Sequence, residues 1–178
     1  MAASGRLATE GVEPALVSFE GRCFRATGTD VGATDLESSS RRGARYDRPG
    51  DPQSFYASRK RHVALAELER RGGIQIAHFR ITAVQAMGLL LDAYTRQGLL
   101  RLGLRRVDLV QTDNAVCLEV AELARASHAS GLLVPSAAVE DESNVVFWQG
   151  VVPSAIQVLN WRIVTPADLP RAPTDLGD

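Results

Sequence analysis

The sequence predicts an α+β fold in a single domain, and three observations carry that expectation. Its 178 residues suit one domain with a sizeable core. Short apolar or β-branched runs at residues 131–134 and 144–148 read as strands. Apolar residues at helical spacing read as helices, and the two kinds of element follow one another without regular alternation.

In order along the chain, residues 1–14 form a small, polar tail. Residues 15–19 and 23–26 are expected to be extended, separated by a turn at Glu20-Gly21. Gly, Asp, Thr and Ser dominate residues 27–42, which read as a loop, and Pro49, Gly50 and Pro52 continue it. Residues 54–57 make a short strand with two aromatics. Ser58 as N-cap and Gly72-Gly73 as stop bound a helix over 59–71, with Val63, Ala64, Leu65 and Leu68 on its apolar side. Residues 74–81 read as a strand. Met87, Leu90, Leu91 and Tyr94 predict a second helix over 84–97, and residues 107–110 are a short apolar run. Asp113 caps a third helix reaching residue 128, whose inner face holds Val116, Val120, Leu123 and Ala124. A last strand covers 158–164, and the proline-rich residues 166–178 form a second tail. The folded unit is therefore expected over residues 15–165.

The net charge of −1 argues against a protein whose main task is coating nucleic acid, since phosphate binding needs a basic surface. Arg41, Arg42, Arg45 and Arg48 still crowd one Gly- and Ser-rich segment. That segment reads either as a solvated loop or as an anion-binding one, because guanidinium forks fit phosphate oxygens. Cys23 and Cys117 lie in apolar surroundings, with no CxxC and no metal-ligand spacing, and are expected to be buried thiols. No secretory signal pattern opens the chain, and its most apolar stretch is too short to cross a bilayer. The expectation is a cytoplasmic protein with no membrane partner.

Charges and hydroxyls sit beside apolar runs in four places: Phe24-Arg25; Gly43-Ala44-Arg45-Tyr46-Asp47 with Phe55-Tyr56-Ala57-Ser58; Ala64-Leu65-Ala66-Glu67; and Leu133-Val134-Pro135-Ser136-Ala137 with Asn144-Val145-Val146-Phe147. Each alone is weak. A helical wheel puts Glu67 on one flank of its apolar stripe and Glu69 on the other, so periodicity does not choose between them. Taken in order, the four resemble the RES domain, named for an arginine, a glutamate and a serine. The central segment departs from the usual Gly-Gly-Arg-Trp-Asn: Ala44, Tyr46 and Asp47 replace the second Gly, the Trp and the Asn. Asp47 brings a negative charge close to a site expected to take a dianion.

The resemblance implies an ADP-ribosyltransferase-like fold, with small sheets forming a cleft and helices at its flanks. It implies a toxin that cleaves the nicotinamide–ribose bond of NAD+, using water or phosphate as acceptor, and paired with a helix-turn-helix antitoxin that carries any DNA binding. NAD+ is substrate rather than cofactor, and no metal is implied. Nicotinamide leaves as a neutral molecule, so the chemistry needs a carboxylate beside a developing cation and a rigid grip on the substrate. By the same resemblance Arg25, Glu67 and Ser136 are the catalytic set, and Arg45, Tyr46 and Tyr56 contact substrate. Two other readings stand beside this one: transfer of ADP-ribose to a protein or nucleic acid, and a catalytically inert binding module. Homo-oligomerisation is left open.

Overall fold

Two long strands organise the molecule. The computed structural model describes residues 13–29, 31–32, 44–51, 54–70, 78–111 and 113–165. Strands β1 (Leu16–Gly28) and β3 (Phe79–Asp92) pair antiparallel along their length, from Leu16↔Leu91 to Gly28↔Phe79. The other edge of β3 takes two partners in succession. β6 (Ile156–Val164) runs antiparallel to residues 79–86, and β4 (Gly131–Pro135) runs parallel to residues 90–92. β4 pairs with β5 (Ser143–Trp148), and β5 with β2 (Ser54–Ser58), both antiparallel. One pair, Phe24↔Ser58, brings β2 back against β1. The sheet is thereby folded into two leaves, β6-β3-β1 and β4-β5-β2.

The side chains explain why the leaves close on each other. Alternate residues of a strand face one side, and on β1 the inward row is Val17, Phe19, Gly21 and Cys23. It packs with Val84, Ala86 and Leu90 of β3 against Phe55, Ala57, Leu133, Val145 and Phe147 of the second leaf. The opposite face of that second leaf shows Leu132, Val134 and Val146. There Val120, Ala121 and Ala124 of α4 (Ala115–Ala126) cover it, joined by Leu109 of α3 (Arg106–Val110) and by Leu102, just after α2 (Arg96–Arg101). A third cluster docks α1 (Arg61–Arg70) through Leu65 and Leu68 onto Phe24, Phe79, Ile81 and Val164. A short α5 (Val152–Ala155) leads into β6.

This is the expected α+β architecture, with four corrections to its parts. Residues 84–92 are strand, not the start of a helix: β3 is paired on both edges, with Leu90 buried against the other strands and Leu91 in the core beneath α4. The chain leaves β3 at Asp92, whose buried carboxylate accepts from the N–H groups of Tyr94 and Thr95, while Thr95 caps α2 by accepting from Gly98 N–H. No turn interrupts β1 at Glu20-Gly21, because Gly21 stands opposite Ala86 inside a continuous ladder. The expected loop from residue 27 starts later, since β1 runs to Gly28. Ser58 ends β2 rather than capping α1, its hydroxyl being donated to Asn144 Oδ1 at 2.7 Å. The run at 107–110 is helical. The tails at 1–14 and 166–178 lie outside the described residues save for 13 and 14, as do residues 33–43, the Gly72-Gly73 stop and residues 74–77 of the expected strand.

Cys23 and Cys117 are buried free thiols. Burial pushes Cys23 up to about 12, partly offset by the nearby Arg59 guanidinium; burial also raises Cys117, eased by Arg45. An unfolded chain ionises Cys23 near 9.0 while the folded chain keeps its proton, so alkaline pH favours unfolding. Denaturant midpoints should therefore fall as pH climbs from 9.0 toward about 12, and Cys23→Ala should flatten that decline. An equal slope in both proteins would remove Cys23 from the explanation.

Candidate active site

A cleft of about 570 Å³ opens where α4 stops covering the second leaf. Its floor continues the apolar face already described: Val134 and Val146, with Tyr56, Ser58 and Asn144 beside them. Residues 24–28 of β1 form one wall and the inner side of α1 another, while Ala44, Arg45, Tyr46 and Asn114 close the far end.

Glu67 enters from α1, half-buried, where Val63 and Ala64 of the same helix are packed inward and Glu69 is exposed. The docking of the helix, which its own stripe did not settle, thus selects Glu67 over Glu69. One carboxylate oxygen, Oε1, accepts three hydrogen bonds: from Ser136 Oγ at 2.8 Å, from the Ala137 N–H at 3.1 Å and from Asn144 Nδ2 at 2.8 Å. Ser136 is buried, and its oxygen also accepts from the N–H groups of Ala138 and Val139 at 3.1 and 3.0 Å. Its single hydroxyl proton goes to Glu67. Arg106 holds the same turn from behind through the carbonyls of Ser136 and Val139. The β4–β5 register, Val134↔Asn144, is what brings Ser136 and Asn144 to one carboxylate.

Arg25 takes the next inward place on β1 after Cys23, which explains a buried arginine within a strand. Its guanidinium lies 5.0 Å from the centre of the Phe55 ring, and it lines the cleft. Arg45 also lines it, with Nη1 bound to the carbonyls of Leu109 at 3.0 Å and Gln111 at 2.8 Å. Arg70, three residues beyond Glu67 on the same side of α1, is a third cation in the lining. Sequence reasoning left it out, though i,i+3 spacing from Glu67 was a usable signal.

Tyr56 and Tyr46 are stacked with ring centres 6.4 Å apart, but their settings differ. Tyr56 is half-buried at the floor, its hydroxyl donating to Asp47 Oδ2 at 3.0 Å and accepting from the Tyr46 N–H. Tyr46 is 2% exposed and its side chain belongs to the α4 core; burial first, then Cys117, raises its hydroxyl well above the usual tyrosine range. Asp47 is likewise buried. It accepts from Ser54 Oγ at 2.6 Å, the Ser54 N–H, Tyr56 and Arg125 Nη2 at 3.3 Å, and it is absent from the cleft lining. The charge introduced at Asp47 is therefore balanced by Arg125, which itself lies 4.2 Å over the Trp148 ring. Among the described residues, the cleft lining sets Arg25, Arg45 and Arg70 against one carboxylate, that of Glu67.

Residues 22–171 match the model of the RES domain family. Among solved structures, a chain of the crystal structure of the M. tuberculosis MbcT–MbcA toxin–antitoxin complex superposes with a TM-score of 0.74 at 24% identity, over 85% of this chain and 88% of that one. No relative was found among curated proteins.

Proposed function

Because the chain belongs to the RES domain family, we propose that it is a toxin that breaks the nicotinamide–ribose bond of NAD+ in the cytoplasm and is silenced by a helix-turn-helix antitoxin. The observation that carries this reading is the anchored carboxylate of Glu67 in a cleft lined by Arg25, Arg45 and Arg70. Such a lining suits a substrate that is anionic at its pyrophosphate and becomes cationic at one ribose carbon as it reacts. The fold shared with a chain of a toxin–antitoxin complex supports the partner.

In this mechanism the bond between the anomeric carbon and the pyridinium nitrogen breaks, and its electron pair neutralises nicotinamide. Glu67 stabilises the oxocarbenium-like ribose, a contribution larger in the transition state than in the bound substrate. Ser136 serves by holding Glu67 and the turn beside it. Arg25, Arg45 and Arg70 grip the pyrophosphate or the ribose edge, and Tyr56 offers a face for nicotinamide. Tyr46 supports Tyr56 from the core. Water then adds to give ADP-ribose and a proton, or phosphate adds to give the phosphorylated product.

The test is NAD+ loss with purified protein, with and without phosphate, followed by mass. Nicotinamide plus ADP-ribose, or plus its phosphorylated form, is the expected result and names the acceptor. Intact NAD+ in both conditions would overturn the reading.

A further inference from the structure

Two residues of the sequence segments, Ser58 and Asn144, are given no contact with substrate above, and they stand opposite each other in the β2–β5 ladder. Ser58 is 3% exposed and donates to Asn144 Oδ1 at 2.7 Å; Asn144 Nδ2 donates to Glu67 Oε1 at 2.8 Å. We infer that Ser58 and Asn144 form a positioning relay that fixes the angle of the Glu67 carboxylate in the cleft. The inference rests on the role proposed for Glu67.

The chemistry sets the direction of the relay. An ionised carboxylate only accepts, so the amide must turn its NH₂ toward Glu67 and its oxygen toward a donor. Ser58 supplies that donor. A serine there, in place of a residue without a hydroxyl, keeps the amide from rotating its oxygen toward the carboxylate. The other two donors to Oε1, Ser136 Oγ and the Ala137 N–H, come from adjacent residues of one turn. Asn144 reaches the same oxygen from a different strand, so Oε1 is held from the turn and from β5 at once. Catalysis that depends on a charge beside one ribose carbon is sensitive to where that oxygen sits.

Three kinetic results follow from the relay. Asn144→Ala should lower kcat by roughly ten- to a hundredfold with KM changed by less than about threefold, since the grip of the arginines is untouched. Ser58→Ala should cost less, about three- to tenfold, and should cost nothing further when Asn144 is already alanine. Asn144→Asp places two carboxylates side by side, which can share a proton only at acidic pH. Its kcat should recover as pH falls, whereas that of Asn144→Ala should not. Losses that add in the double variant, a KM rise matching the fall in kcat, or an Asn144→Asp rate that fails to recover on acidification would each overturn the relay. Circular dichroism melts establish that every variant is folded.

A second arm needs no activity. In ¹⁵N NMR of the free protein, the side-chain amide resonances of Asn144 should move in both Glu67→Gln and Ser58→Ala. Resonances that stay in place overturn the relay even if NAD+ is consumed. Should the wild type leave NAD+ intact, the proposed function falls, and the NMR response alone decides whether Glu67 is held through Asn144.

Discussion

Glu67→Gln should leave NAD+ binding within about threefold of wild type while lowering kcat by at least about a hundredfold. Glutamine keeps the size of the side chain and an oxygen able to accept from Ser136, Ala137 and Asn144, so the wall of the cleft has no reason to rearrange. What it removes is the negative charge, which matters most when the ribose carbon is most cationic. A loss confined to turnover is the signature of an interaction made in the transition state. Arg25→Ala is the contrast: its guanidinium lies within the cleft lining and against Phe55, so KM should rise and kcat fall together. Steady-state kinetics on both proteins separate the two roles. Near-wild-type NAD+ loss by Glu67→Gln would mean that another group carries the charge.

The largest effect on stability should come from a single methyl group. A Cβ at Gly131 would lie 1.8 Å from the carbonyl oxygen of Val146 and 2.9 Å from its carbon, backbone atoms of the neighbouring strand that have no side-chain freedom to yield. Gly131 pairs with Leu90 on one side and Phe147 on the other, so β4 cannot shift without opening the junction between the two leaves. Gly131→Ala should cost about 4 kcal/mol or more, lowering the melting temperature by roughly 10 °C or preventing folding altogether. Gly150→Ala is the matched control. Nothing lies within 4 Å of its Cβ position, and its melting temperature should stay near wild type.

Much of this architecture was legible because some segments carry their own bounds. β4 and β5 are compact apolar runs, and α4 repeats Val116, Val120, Leu123 and Ala124 at helical spacing. β3 was not legible. Residues 87, 90 and 91, with 94 just after the strand, fit a helix as well as a strand, and what decides is partners more than forty residues away in either direction. The buried Asp92, which accepts from the turn after it, marks the true boundary, but only once that turn is known. For the proposed site, the ordered resemblance pointed to Arg25, Glu67 and Ser136. Convergence was beyond it: Ser136 and Asn144 meet because of a hairpin register, and Arg70 shares the cleft because α1 docks through Leu65 and Leu68. Asp47 shows the limit of judging a charge by its neighbours in sequence, since Arg125, seventy-eight positions later, neutralises it.

The three donors to Glu67 Oε1 come from residues 136, 137 and 144, so the carboxylate is made at one time and set in place at another. During synthesis Arg25, Tyr56 and Glu67 leave the ribosome well before the hairpin that holds them to their task. A nascent chain, or one cut short by a premature stop between Glu67 and Ser136, carries the arginine and the glutamate without the residues that align them. For an enzyme proposed to consume a metabolite its own host needs, that order of emergence would withhold the aligned carboxylate until residues 136–144 have been made.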